Sequence, residues 1–277
     1  MIFVHEMKMK IEWQTILNEC AEKIQEKVRP LFRKRETRSL GVGAGGDEIK
    51  RIDLAAEKAL MDVLNKHGIS YTLISEESGI KKIGNCPEQF YITVDPLDGS
   101  TNANRGIPFI ATSIAVSRKP ELSSVELALV SDLYHKITYL AEQGKGAFRN
   151  KIAIIPSKFT GLMDAVIGVD LHTYRATETA AKLTSLVREI KHLRHLGANA
   201  LELCYVADGT VDAFVDIRGK LRVTDMAAAY LILKEAGAII TTMEGKALNA
   251  QLDPTQKVSF VASGNPTLHK KILSLLK

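Results

Sequence analysis

The sequence predicts an α/β protein in two successive parts. Two amphipathic helical stretches open the chain, a run of neighbouring β-rich segments fills its middle, and strand-like and helix-like segments alternate after Pro156. The change of texture falls near residue 155. It gives an N-terminal α+β lobe over 1–155 and a C-terminal α/β lobe over 156–277. Hydrophobic residues make up 45% of the 277 and charged residues 25%, proportions that support a real core.

The first helix is expected over about 11–34, where Trp13, Leu17, Cys20, Ile24, Val28 and Leu31 recur at helical spacing between Glu and Lys. A glycine-rich stretch, Gly41–Gly46, then separates it from a second helix over about 53–67. The stretch lacks the Gly-Lys-Ser/Thr of a P-loop and reads as a linker or as a loop that closes over a site. Strands follow at Tyr71–Ser75 and Phe90–Val94, and neighbouring, antiparallel strands are expected from Ile110 to Phe148. In the second part, strands are expected at Ala165–Val169, His192–Leu196, Val211–Asp216, Ala238–Thr242 and Ser259–Ala262. Helices are expected at Ala176–Glu189, Asn199–Ala207, Thr224–Ala236 and from Pro266 onward.

Charge and cysteine content narrow the function. The formal net charge is +5, spread without a long basic run or an aromatic stacking platform, which favours small anionic substrates over nucleic acid. Cys20, Cys86 and Cys204 are far apart and form no C-x-x-C, so neither a disulfide framework nor a zinc site is expected. Met1–Val4 is too short for a secretory h-region and no apolar run reaches the length of a membrane span. The expectation is a cytoplasmic protein with no membrane partner.

The chemistry is concentrated in Asp95-Pro96-Leu97-Asp98-Gly99-Ser100-Thr101-Asn102, which follows an apolar strand. Two carboxylates at a strand end bent by proline can converge on one hard divalent cation, with the Leu97 carbonyl as a third oxygen. Gly99-Ser100-Thr101 then offers backbone N–H groups at a helix start, where phosphate binds readily. Four residues of this kind would read as a turn; the octet reads as a site. Glu76 and Glu77 follow the Tyr71 strand at a position where α/β proteins place ligand-binding groups, though acids there also occur in solvated loops. Asp225 opens a helix, as a cap or as a metal ligand. Asp53, also at a helix start, reads as dipole stabilisation or as a partner of an attacking water.

In order and spacing, Ile74-Ser75-Glu76-Glu77-Ser78, the Asp95–Asn102 octet and Thr224-Asp225-Met226-Ala227-Ala228 resemble the inositol monophosphatase superfamily. Leu196-Gly197-Ala198, Leu201–Thr210 and Asp212–Arg218 resemble its archaeal-type branch with dual inositol monophosphatase and fructose-1,6-bisphosphatase activity. The resemblance implies a layered αβαβα sugar-phosphatase fold, a homodimer, two or three Mg2+ per site, and hydrolysis of a small phosphorylated polyol by metal-activated water. It assigns Glu76, Asp95, Asp98, Asp225 and the Leu97 carbonyl as metal ligands, and Ser100 with Asp53 as the pair that orients the water. The Gly99 and Ser100 amides would hold the phosphate. Asp216 would contact a substrate hydroxyl, Arg218 and Arg194 a second phosphate or the polyol, and Gly197 and Ala198 would line the pocket. The Gly41–Gly46 loop would bring Asp47 or Glu48 towards a third ion. Thr224 stands where many members carry tryptophan and Ala103 where an aromatic is common; neither change removes a ligand. Two other readings remain open: a bisphosphate nucleotide phosphatase acting on 3′-phosphoadenosine 5′-phosphate, and a non-catalytic phosphosugar-binding protein on the same fold.

Overall fold

The computed structural model describes residues 12–35, 39–171 and 177–277. The Met1–Val4 stretch and the expected helix starts at 11 and 176 lie outside those residues. Helix α1 spans Trp13–Val28 and buries Ile16, Leu17, Cys20, Ala21, Ile24 and Val28, the stripe its periodicity predicted. It ends earlier than expected. Pro30, which cannot donate to the helix ladder, lies in a 3₁₀ turn over Arg29–Leu31. Helix α2 spans Arg51–Lys66, and the Asp53 carboxylate accepts the Lys50 N–H (2.8 Å) at its first turn.

The first sheet has eight strands: β1 (Tyr71–Ser75), β2 (Gly79–Ile83), β3 (Tyr91–Asp98), β4 (Ala111–Ser117), β5 (Val125–Asp132), β6 (Ile137–Glu142), β7 (Gly146–Arg149) and β8 (Ile152–Ala153). The short helix α3 (Ser100–Arg105) leaves β3 directly. Strand order is β2-β1-β3-β4-β5-β6-β7-β8. Only the β1–β3 pairing is parallel; the Ile110–Phe148 region is antiparallel throughout, as its closely spaced strands predicted.

The second part contains β9 (Val166–Val169), α4 (Thr177–Glu189), β10 (His192–Arg194), α5 (Asn199–Ala207), β11 (Ala213–Arg222), α6 (Val223–Ala236), β12 (Ile239–Thr241), β13 (Lys257–Ser263) and α7 (Pro266–Leu275). Its five strands form a mixed sheet in the order β10-β9-β11-β13-β12.

Three apolar clusters set the layering. Helices α1 and α2 pack on one face of the first sheet through Leu17, Leu60, Leu73, Ile92 and Leu129. The other face, carrying Ile74, Ala128 and Tyr139, meets α5 and α6, which also cover Phe214 and Phe260 of the second sheet. Leu183, Leu186, Leu268 and Ile272 of α4 and α7 close the far face over Ile167, Val215 and Val261. The result is the αβαβα stack the family resemblance implied. Helix α6 lies between the two sheets, which is why residues 223–233 are buried throughout and mostly apolar. The sheets divide between Ala153 and Val166, yet α5 and α6 join the two segments in one core. Cys20 and Cys204 are fully buried, and the three thiols are unpaired. Among the described residues no helix is long and apolar enough to cross a membrane.

Candidate active site

Strand register brings the acids together. Residues three apart on a regular strand point to opposite faces, so Asp95 and Asp98 would diverge. The pairing of β3 with β4 shifts register between them, at Pro96 and Leu97. Proline lacks the N–H the ladder needs there, and the resulting bulge turns both carboxylates towards the same region. The Leu97 N–H donates to Asp95 Oδ1 (2.9 Å) and fixes that bend. Beside it, the parallel register pairs Ser75 with Val94, which sets Glu76 next to Asp95. Asp225 arrives on the first turn of α6, with Thr224 Oγ1 donating to its Oδ1 (2.9 Å). Fully buried Thr224 thus orients the acid, and fully buried Ala103 packs into the first core cluster.

Glu76, Asp95 and Asp225 each offer one carboxylate oxygen, and these oxygens lie within 4.8 Å of one another. Asp98 adjoins the trio. Its Oδ2 accepts the Ala200 N–H (2.7 Å) at the start of α5, so the second part of the chain holds this ligand candidate. Burial, above all, and then the neighbouring acids push the carboxyls upward. Asp98 rises to about 8 through burial and Asp225, against the Ala200 and Asn199 amides that favour its charge. Asp95 is raised well above the usual range by burial, then by Glu76, Asp98 and Asp225; Glu76 likewise by burial and Asp225. Burial also raises Asp225, although Arg222 opposes it. Glu77 rises to about 8 through burial and then Asp53 and Glu57, which places Asp53 in the electrostatic surroundings of the cluster.

The phosphate-binding candidates lie on the same strand end. Gly99 adopts φ +85°, a left-handed turn that suits glycine, and a Cβ there would stand 3.0 Å from the Phe109 carbonyl and 3.3 Å from the Ala198 Cβ. Ser100 is the first residue of α3. Gly197 and Ala198 are held against this turn from two sides. Asn102 Nδ2 donates to the Leu196 (2.8 Å) and Phe109 (2.9 Å) carbonyls. The Glu202 carboxylate accepts the Leu196 (3.1 Å) and Gly197 (3.0 Å) amides.

The polyol-side candidates separate. Arg218 donates through Nε (2.9 Å) and Nη2 (2.6 Å) to the two oxygens of Asp216, and its Nη2 also meets Asp170 (2.5 Å). Asp216 is completely buried behind it. Both Asp216 oxygens thus accept from Arg218, the neighbour expected to face the polyol. Arg194 is exposed on β10 and its guanidinium donates to the adjacent Leu193 carbonyl (2.9 Å), so it does not join Arg218. Two residues to which sequence reading gave no role, Arg222 and Glu202, turn out to organise the site. Arg222 bonds Glu76 (2.6 Å) and Asp225 (3.3 Å), and it lies just ahead of a recognised motif; Glu202 sits inside one.

A profile of the inositol monophosphatase family matches residues 10–277. A fructose-1,6-bisphosphatase/inositol-1-monophosphatase of Methanothermobacter thermautotrophicus is 37% identical over 275 residues, spanning 96% of each chain. A bifunctional NADP phosphatase/NAD kinase of Methanococcus maripaludis is 35% identical over 273 residues, which cover 92% of this chain and 47% of that protein. The crystal structure of an inositol monophosphatase–fructose 1,6-bisphosphatase superposes with a TM-score of 0.84 at 30% identity, over 96% of this chain and all (100%) of the other. The fold and the acid cluster thus define a phosphatase of phosphate monoesters. The chain belongs to the inositol monophosphatase family.

The raised carboxyls have a consequence for stability. Each keeps its proton to higher pH when folded than when unfolded, so between the ordinary carboxylate range near about 4 and about 8 the folded state binds more protons. The unfolding free energy then falls as pH rises through that window. Metal-free protein is expected to melt at progressively lower temperature from pH 5 to pH 8, and magnesium to remove much of the decline. Thermal melts in EDTA and in magnesium check this; a flat or rising Tm in EDTA would contradict it.

Proposed function

We propose that this chain catalyses magnesium-dependent hydrolysis of the phosphate monoester of a small polyol, inositol 1-phosphate or fructose 1,6-bisphosphate. One observation carries the reading: three carboxylates, Glu76 just after β1, Asp95 on β3 and Asp225 on α6, the last two buried and the first partly so, approach within 4.8 Å of one another. An all-oxygen, acid-only set that burial leaves electrostatically strained suits a hard divalent cation. Glu76, Asp95, Asp98, Asp225 and the Leu97 carbonyl would hold two or three Mg2+. Bound there, magnesium supplies charge neutralisation and acidification of water.

The protein's own contribution is positioning. The Gly99 and Ser100 amides hold the phosphate, and the left-handed turn at Gly99 aims them. The Ser100 hydroxyl and Asp53 orient the attacking water. Arg218, pinned by Asp170 and Asp216, presents its remaining donors to the polyol. Gly197 and Ala198, fixed by Asn102 and Glu202, wall the pocket. A homodimer in the cytoplasm is part of the same proposal, by analogy with the family.

The relative named as an NADP phosphatase supports a second reading, in which the leaving group is a nucleotide. Phosphate release from inositol 1-phosphate, fructose 1,6-bisphosphate, NADP and 3′-phosphoadenosine 5′-phosphate, each with magnesium and with EDTA, separates the two. Magnesium-dependent release fastest from a polyol phosphate is expected. A nucleotide preferred by tenfold or more would replace the polyol by the second reading, and no release from any substrate would support a binding protein.

A further inference from the structure

Glu76 stands on the most peripheral element of the acid cluster. Strands β1 and β2 pair from Tyr71 with Ile83 to Ser75 with Gly79, which leaves Glu76, Glu77 and Ser78 as the hairpin turn, closed by Gly79 at φ +74°. Strand β2 is the edge of the eight-stranded sheet, whereas β3, which carries Asp95 and Asp98, lies between two strands. Asp225 is on the buried helix α6, and Asp98 is held by the Ala200 amide. The Glu76 N–H meets the Val94 carbonyl at 3.4 Å, beyond the usual range, so the strand ladder holds the turn weakly at the acid itself.

Helix α2 supplies a further anchor. Asp53 and Glu57 are one helical turn apart, so they share a face, and both are buried (2% and 6% exposed). A buried Glu is uncommon without a partner. Here Glu57 Oε1 accepts the Ser78 hydroxyl (2.7 Å), while within the turn Ser75 Oγ accepts the Glu77 N–H (3.1 Å). After burial, Asp53 and Glu57 are the groups that raise the Glu77 carboxyl most, so both helix acids lie beside the hairpin. On its outer side the Ala44 and Gly45 N–H groups donate to the Glu77 (3.1 Å) and Glu76 (2.9 Å) carbonyls. The Ser78–Glu57 bond is the tie that runs to the helix carrying Asp53.

We propose that Glu57 is a positioning residue that, through Ser78, fixes Glu76 relative to Asp53. Glu76 is a ligand of the proposed cation site and Asp53 the proposed partner of the attacking water, so their separation decides whether the two act on one point. One helical turn of α2 then serves both: Asp53 faces the water, and Glu57 holds the hairpin at the matching distance. A hydroxyl bound to a carboxylate is a strong, short tie, and burial keeps solvent from competing for it. The inference rests on the cation site and the water-orienting pair proposed above. Groups that orient ligands in this way are worth on the order of 10- to 100-fold in metal affinity or activity.

A double-mutant cycle of Glu57→Ala and Ser78→Ala tests the tie. Calorimetry reads magnesium binding independently of turnover, and kinetics use whichever substrate of the panel above the native chain cleaves fastest. Each single variant is expected to weaken magnesium binding and to lower kcat, each by on the order of 10- to 100-fold, with KM little changed. The double variant should be no worse than the singles, because all three lose the same bond. Glu57→Gln keeps an oxygen for the Ser78 hydroxyl and should recover most of both quantities. Native-like binding and kcat in Ser78→Ala would overturn the positioning role and leave the cation site standing. So would losses that add in the double variant, or a Glu57→Gln as impaired as Glu57→Ala. Should Glu57→Ala fail to fold, Ser78→Ala and Glu57→Gln decide alone. Magnesium binding without turnover in the native chain would remove the hydrolysis reading, and the binding cycle would then decide the tie. No magnesium binding by the native chain would overturn both proposals.

Discussion

Asp95→Asn is expected to abolish magnesium-dependent phosphate release while making the metal-free protein harder to unfold. Asp95 is buried among Glu76, Asp98 and Asp225, and its carboxyl is pushed up by burial and by all three. An amide of the same shape has neither a proton to hold nor a charge to bear among those acids, and it keeps the oxygen that accepts the Leu97 N–H. Removing a charged ligand from a metal site forfeits several kcal/mol of transition-state charge stabilisation, on the order of 10³-fold in rate. Relief of the buried charge acts in the opposite direction on folding: at pH 8 in EDTA the variant should melt a few degrees, roughly 2–6 °C, above the native chain. The two opposite signs distinguish a functional acid from a structural one. Steady-state kinetics and melts in EDTA measure both, and a variant that is inactive because it is less stable would contradict the assignment.

Asn102→Ala should lower both stability and turnover. The Asn102 amide lies 8% exposed between the two parts of the chain. It donates to the Phe109 and Leu196 carbonyls, and its loss leaves both without that donor. Each buried acceptor left unpaired costs about 1–3 kcal/mol, so the expected loss is roughly 2–4 kcal/mol, or roughly 3–7 °C in Tm for a chain of this size. The same deletion frees the Gly197–Ala198 segment that rests on Gly99, where a shift of ~1 Å costs on the order of 10²-fold in rate. Denaturant melts with kcat determined well below the new Tm separate the two effects. Unchanged turnover would show that the segment stays in place without Asn102.

The sequence exposed the parts of this site whose determinants are local. The Asp95–Asn102 octet carries its own bulge-forming proline, its left-handed glycine and its helix start, so eight neighbouring residues encode a strand end, a turn and two acids. Glu76 was visible because it follows an apolar strand, and Asp225 because it opens a helix. What stayed hidden depends on pairing across the fold. Arg222 contacts residues 175 and 177 positions away and, in sequence, is one basic residue before a helix. Glu202 lies in a helix whose other residues are mostly buried and apolar; only the tertiary position of the Leu196 and Gly197 amides gives its carboxylate a task. Asp216 and Arg218, two apart on β11, share a face, and the salt bridge between them could have been anticipated from the strand period. The five-layer stack itself followed from the family resemblance; periodicity alone gave strands and helices without their order in space.

The central claim is that Glu76, Asp95, Asp98 and Asp225 form one cation site. Crystals soaked in Mn2+ in place of Mg2+ test it through an anomalous difference map. Peaks are expected between Glu76, Asp95 and Asp225, with Asp98 on the same cluster, and should vanish in Asp95→Asn. Strong peaks elsewhere on the protein, with none at these four acids, would contradict it.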